Sequence, residues 1–364
     1  MDHGQGTTMR VRSTGWTTLL LAATLGAATP PLQGQTTIEA RGARITVGGR
    51  LHTQLATSSV EGTSTDIFMR RARVYVGLVV NDFLEGRVQT DFAGGEASLK
   101  DAYMRLDFDR AFRVDVGQFK RAFDLFELAS STRLSIIERD GRVAGVDACA
   151  GTGGVCSWSR LTEKLAYADR DVGLRVSGSS GRVAYQFTAT NGTGANRSDE
   201  NGDKSYAGRL TIGVGGDVTL GANLGLHDYV AEDGGTDYAA AFGADLEVGG
   251  WQDGFHLQAG VVAGDNWKAL DAGGDPANFV AFQGVASYYA PIEGSARFIG
   301  WEPLLRVSYG DGDTDVADDG GWIFTPGVMF YIAGRSKVGV NLDVWSPEAG
   351  DSEASLKFQT FLYF

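Results

Sequence analysis

From residue 44 to the end of the chain, apolar and polar positions alternate in segments of about ten residues, the period-two pattern of strands with one apolar face. The last segment, SLKFQTFLYF, sets Leu356, Phe358, Thr360, Leu362 and Phe364 on one face and Ser355, Lys357, Gln359, Phe361 and Tyr363 on the other. The first, Arg44 to Ala56, sets Ile45, Val47, Leu51 and Leu55 opposite Arg44, Arg50, His52 and Gln54. Further segments centre on Val74, Val88, Met104, Val114, Leu174, Tyr185, Leu210, Leu220, Phe242, Leu257, Phe282, Val307, Val328 and Val340, which makes sixteen, an even number. The ends of soluble domains usually fray, so a terminal strand this apolar suits lipid on one side. The pattern predicts an all-β chain, a transmembrane antiparallel β-barrel of about 16 strands.

The connections alternate in length by parity. On one side are short turns, VNDF, FDRA, GSSG, GGD, GGWQDG and AGRS, with one longer stretch, PIEGSARFIG. On the other are longer polar stretches: TSSVEGTSTD, NGTGANRSDENGD, VAEDGGTD, AGDNWKALDAGGDPAN, GDGDTDVADDGG and SPEAGDSEA, with AGGEA the short exception. Outer-membrane barrels have short periplasmic turns and long external loops. A soluble sandwich or propeller has no reason to sort its loops this way. The longest connection, residues 119–168, is the third external loop. A structureless segment of that length is unusual and usually functional, and we expect it to fold inward and narrow the lumen, with a short helix in LFELASSTRLSIIER.

Composition sharpens this picture. Glycine is abundant (52) and proline scarce (7). No apolar run of about 18 residues occurs beyond the N-terminus, so a helical membrane protein is excluded. Residues 1–34 read as a secretory signal peptide, with Arg10 and Arg12 before an apolar stretch and small residues near Gly34, leaving 35–364 as the barrel domain. The net charge of −13 becomes −14 when that leader, which carries one net positive charge, is removed. A strongly acidic exported chain is not a nucleic-acid binder. The only cysteines, Cys149 and Cys156, flank AGTGGV and are expected to form a local disulfide. No metal site is expected at them, for no histidine lies nearby. No cofactor and no catalysis are expected: His52, His227 and His256 form no paired motif, and G-x-S-x-G is missing. The acidic run Asp311, Asp313, Asp315, Asp318 and Asp319 resembles a calcium loop only weakly, without the distal Glu, and reads as a solvated surface loop.

Alternation also assigns a lumen face. It places Arg44, Arg50, Arg71, Arg73, Arg87, Arg105, Arg113, Arg175, Arg182, Arg209 and Arg306 inward, with Arg70 outward. Arginine is always charged and grips oxyanions in bidentate geometry, so this wall would draw anions. The alternative is a balanced polar wall, because Glu85, Asp91, Asp101, Asp107, Asp115, Asp171, Asp245 and Glu302 also face inward. The candidate pore-lining and anion-binding residues are Arg50, Arg71, Arg73, Arg87, Asp101, Arg105, Lys120, Arg121, Arg133 and Arg139.

Over about Gly48 to Asp140, the stretches FMRRARVYVGLVVNDFLEGRVQTDFAGGEASLKDAYMRLDF and VDVGQFKRAFDLFELASSTRLSIIERD resemble the phosphate-selective porins of the O and P type. The resemblance implies a sixteen-stranded, trimeric outer-membrane channel of a Gram-negative-type bacterium, with arginines at a constriction formed by the third external loop. Its paired arginines match Arg70 and Arg71, and its lumen aspartate matches Asp101. Where phosphate-specific members carry a lysine before the TSS-like stretch, this chain has Leu128. The expected function is passive diffusion of small anions, phosphate or polyphosphate among them. A general or cation-favouring porin and a non-conducting barrel for surface binding or anchoring stay open. The expected partners are outer-membrane lipid and lipopolysaccharide, small anions, two further copies in a homotrimer, and the barrel-insertion machinery reading Phe364.

Overall fold

The structure, a computed structural model, describes residues 36–40, 42–231, 234–271 and 273–364. The expected leader, 1–34, lies outside the described residues. The strands are β1 (Thr36–Ala40), β2 (Ala43–Ala56), β3 (Asp66–Val79), β4 (Leu84–Asp91), β5 (Ser98–Asp109), β6 (Phe112–Lys120), β7 (Arg170–Ser180), β8 (Val183–Thr190) and β9 (Ser205–Gly215). They continue with β10 (Val218–Val230), β11 (Thr236–Gly250), β12 (Asp253–Leu270), β13 (Pro276–Tyr288), β14 (Ala290–Pro291), β15 (Gly300–Asp311), β16 (Gly321–Ala333), β17 (Ser336–Pro347) and β18 (Glu353–Tyr363).

All but the short β1 and β14 form one closed antiparallel barrel of 16 strands, each paired with its sequence neighbours. β18 closes it on β2, in register from Lys357↔Ala56 to Tyr363↔Arg50. The seam runs to the last residue: Gly49 N donates to Phe364 O (2.7 Å) and Phe364 N to Gly49 O (3.2 Å). A Cβ at position 49 would lie 2.4 Å from the Phe364 ring, so only glycine lets the chain end seat here. Closure leaves no open strand edge, which a hydrocarbon environment demands because no water is there to satisfy backbone groups.

Side-chain alternation then sorts chemistry by face. Along β18, Leu356, Phe358 and Leu362 are 46%, 41% and 52% exposed, whereas Lys357 and Gln359 between them are 2% and 0% exposed. The apolar side chains are the outward ones and the charged ones are enclosed, the inverse of a soluble protein and the rule for a barrel in lipid. Aromatic groups mark both rims: Phe83, Phe108 and Phe112 cluster at the short-turn end, with ring centroids 5.1 and 5.2 Å apart, and Tyr309 packs on Trp322 at 5.0 Å near the opposite end.

One expectation about the long-loop side needs correction. AGDNWKALDAGGDPAN is largely strand, since β12 runs to Leu270 and β13 starts at Pro276, whereas VAEDGGTD is strand only at its ends, where β10 runs to Val230 and β11 starts at Thr236. Polar side chains do not stop a strand whose backbone has a partner, and Tyr229 pairs with Asp237 across the β10–β11 ladder. The helix expected in LFELASSTRLSIIER is a single turn, α1 (Leu125–Leu128). Asp124 caps it by accepting from Phe126 N (2.8 Å), and the chain then turns, with Arg133 N donating to Ser130 O (2.9 Å) and Thr132 N to Ser130 Oγ (3.3 Å). Local bonding of this kind is how Ser and Thr compete with helix propagation.

Phe358→Arg would place a charge at the middle of the lipid face. Denaturant titration of the protein in vesicles should show a loss of about 2–4 kcal/mol. A loss within about 1 kcal/mol, typical of the interfaces, would mean that Phe358 does not face hydrocarbon.

Candidate pore lining

Residues 121–169, between β6 and β7, bury many of their side chains against the barrel wall. Phe126, Ile136, Ile137, Val143, Trp158, Leu161, Leu165 and Tyr167 belong to one buried apolar cluster with Ala239, Ala241, Phe279, Ala281 and Ile323 of the wall. Polar anchors surround it. Tyr167 Oη donates to Asp265 O (2.7 Å), Trp267 Nε1 to Leu165 O (2.9 Å), Asn266 Nδ2 to Ala150 O (3.0 Å) and Ser135 Oγ to Glu302 Oε1 (2.7 Å). Arg306, fully buried, donates to Glu138 O (3.0 Å) and Arg139 O (2.8 Å) while pairing with Asp343 at 2.6 Å. Cys149 and Cys156 form a disulfide within this segment. The turn it spans uses Gly151, Gly153 and Gly154 at φ 67°, 62° and 70°, where side-chain-bearing residues are strained. Arg160 of a second helix, α2 (Trp158–Lys164), holds that turn through Gly153 O and Thr152 O, both at 2.6 Å.

The segment leans on the β9–β17 side and leaves a cavity of about 470 Å³ against β2–β8. Ten cationic side chains line it, Arg50, Arg70, Arg71, Arg73, Arg87, Lys100, Lys120, Arg139, Arg170 and Arg175, with four carboxyl groups, Asp101, Glu127, Glu163 and Asp169. Seven of the ten candidates read from the sequence are therefore here: Arg50, Arg71, Arg73, Arg87, Asp101, Lys120 and Arg139. The other three are not among the lining residues. Arg105 pairs with Asp115 (2.7 Å), Arg121 is buried against Asp171 (2.6 Å), and Arg133 is exposed on the turn after α1. Arg44 and Arg182, assigned inward by alternation, are exposed at the short-turn end, where the strand pattern runs out.

Arg70 was assigned outward, and the structure overturns that. A β-bulge opposite His52 and Thr53 pairs His52 with Arg71 and Thr53 with Met69, so Arg70 is the extra residue. Bulges re-aim side chains, and here both guanidinium groups turn to the lumen and reach Glu138: Arg71 in a bidentate pair at 2.7 and 2.9 Å, Arg70 at 2.8 Å. The adjacent arginines were the available signal, but a strict period of two hid it. Lys100, Arg170 and the acidic Glu127, Glu138 and Glu163 were not foreseen as site residues, and Arg175 was assigned inward without being named a candidate.

Most of these cations already have carboxylate partners. Arg73 bonds Asp91 (2.6 Å), Arg170 bonds Asp101 (2.7 Å), Arg175 bonds Asp115, and Arg139 lies 3.3 Å from Glu127. Arg87 is 3.8 Å from Asp101 and stacks on Tyr75, 4.3 Å from its centroid. Arg50 and Lys100 pair with no carboxylate among the described residues. Arg50, 7% exposed, donates to the Ser131 hydroxyl. Among the loop carboxyls, burial opposes the charge of Glu138, but Arg71 and Arg70 outweigh it and hold the group well below the usual range. Glu163 goes the other way. Burial and the neighbouring charge of Glu127 push it well up, so its ionisation is opposed where that of Glu138 is favoured.

A closed, lipid-facing barrel with a charged lumen and a segment folded inside it is an outer-membrane porin. The chain belongs to the family of phosphate-selective porins O and P, whose model matches residues 45–248, more than half of the 364. It is a channel for diffusion across the Gram-negative outer membrane. Among solved structures it is similar to the outer membrane channel DcaP of Acinetobacter baumannii (TM-score 0.62, 13% identity, covering 90% of this chain and 99% of that one). It is also similar to OmpT of Vibrio cholerae with loop L8 deleted (0.60, 12%, 89% and 100%) and to OmpF of Salmonella typhi in complex with daunomycin (0.59, 12%, 90% and 100%). At such identities the likeness is one of fold. A search among curated proteins finds no match.

Replacing Arg306 with Met leaves two loop carbonyls without their donor and takes one cation from Asp343, which keeps Thr325 Oγ1 and Lys357. A buried acceptor left unsatisfied costs roughly 1–3 kcal/mol. The denaturation midpoint should fall accordingly, and added protease should cut between α1 and α2. An unchanged midpoint with a resistant loop would show that Arg306 does not hold the segment.

Proposed function

We propose that the channel favours small anions, with oxyanions such as phosphate or polyphosphate among its solutes, and that the in-folded segment is its constriction. The observation that carries this reading is the cavity itself: ten cations against four carboxyl groups, with Arg50 buried and lacking a carboxylate partner among the described residues. A guanidinium in that condition stabilises an anion that is shedding water, and low-dielectric walls strengthen the attraction. Ser131 beside it is a hydroxyl suited to the same oxyanion. The name of the family, whose model spans Arg70, Arg71 and Asp101, supports the same solute class.

The second reading, a general or cation-favouring pore, is favoured by one observation. Most wall arginines are spent on Asp91, Asp101 and Asp115, and the chain as a whole carries −13. We further propose a homotrimer, as in the trimer form described for Vibrio cholerae OmpT, seated in lipopolysaccharide and lipid, with the apolar Phe364 strand read by the barrel-insertion machinery.

The deciding measurement is the zero-current potential in a planar bilayer under a KCl gradient, followed by phosphate titration of the chloride current. A chloride-favouring potential with phosphate block is expected, and Arg50→Gln should raise the half-blocking concentration about tenfold, the loss of one charge-assisted hydrogen bond. A potassium-favouring potential leaves the general pore. The pH dependence has a definite sign. As pH rises through the raised Glu163 value the cavity gains a negative charge, so anion preference should fall across that titration in the wild type and not in Glu163→Gln.

A further inference from the structure

The bulge in β3 turns two consecutive guanidinium groups into the lumen, and both end on the carboxylate of Glu138, whose side chain is 6% exposed. A bidentate guanidinium with a second donor on one of the same oxygens is the arrangement in which a carboxylate or phosphate solute would sit. Here the protein supplies that anion from its own loop. Arg70 lines two cavities: the basic chamber described above, and another of about 460 Å³ that Glu138 also lines and that reaches the outer connections at Thr57 and Gly94. Arg70 is thus shared by the outer cavity and the basic one, and Glu138 holds it from the outer side.

The loop has anchors besides this carboxylate. Arg306 holds the backbone at Glu138 O and Arg139 O from the far wall, and Ser135, three residues earlier, is bonded to Glu302. Charge and position are therefore separable at residue 138.

We propose that Glu138 is a selectivity-setting residue, a tethered carboxylate that occupies the Arg70–Arg71 pair in place of a solute oxyanion and so lowers the affinity of the channel for the anions it passes. The inference rests on the anion-channel reading above. Its physical sense lies in turnover. Conduction needs binding strong enough to admit an ion and weak enough to release it, and two free arginines beside Arg50 would hold an oxyanion strongly. A tethered competitor acts as though present at roughly millimolar concentration, so solute has to displace it rather than enter a vacant site.

The test compares wild type, Glu138→Gln and Glu138→Asp in planar bilayers, reading the zero-current potential in a KCl gradient, the phosphate concentration that halves the chloride current, and single-channel conductance. Removing the charge should move the potential toward chloride and lower the half-blocking phosphate concentration about tenfold, with conductance within about twofold of wild type because the loop stays pinned. Glu138→Asp, which withdraws the carboxylate by one methylene, should shift both readings part-way, and it decides the matter if the Gln variant does not assemble. Unchanged phosphate block in a wild-type-sized channel overturns the inference while leaving the anion reading intact. A severalfold rise in conductance with loss of discrimination also overturns it, making Glu138 a fastener. If wild type and both variants favour potassium without phosphate block, the anion reading itself falls.

Discussion

Everything in this molecule depends on the hydrogen-bonded seam between the first and last barrel strands. An isolated sheet of this length would present an unpaired edge to hydrocarbon, where each unsatisfied backbone group costs several kcal/mol. Pairing of β18 with β2, continued through Gly49 and Phe364, removes that edge. Once the sheet is closed, one face of every strand is committed to lipid and the other to the lumen. The apolar exterior and the charged interior follow from a single topological fact.

The interior raises a second problem, because a lumen lined by arginine, aspartate and glutamate has no hydrophobic driving force of its own. The long segment after β6 supplies one. It carries Phe126, Ile137, Trp158, Leu161 and Tyr167 into the barrel and packs them against the small wall residues Ala239, Ala241 and Ala281. Small wall side chains there leave room for large loop side chains. On the opposite side, β2–β8 carry the arginines and the lumen stays open. The asymmetry of the pore is thus an asymmetry of side-chain size and charge around the wall.

Charge pairing ties stability to transport. Asp91, Asp101 and Asp115 hold Arg73, Arg170 and Arg175 in fixed geometry, as a buried charge requires. Each such pair also removes a cation from the reach of solute. The electrostatics of the lumen are therefore set by which guanidinium groups are left over, and counting along a strand does not tell these from the ones already paired. Arg121 is spent on Asp171, whereas Arg50 is buried against a hydroxyl.

The sixteen barrel strands, their antiparallel order and the outward set of Leu356, Phe358 and Leu362 were legible in the sequence, because a strand between lipid and water must alternate and the turn chemistry between strands is local. Most of the arginine wall was legible for the same reason. The bulge was not: which residue is extra depends on how β3 registers against β2, so Arg70 was assigned to the wrong face until His52 and Thr53 were seen opposite Arg71 and Met69. Nor was the pairing of Arg71 with Glu138, residues 67 positions apart and brought together only when the segment folds into the barrel. Periodicity carries information along one strand. It was the tertiary structure that decided which charges meet, because ion pairs across a lumen depend on distances that close only when the sheet does.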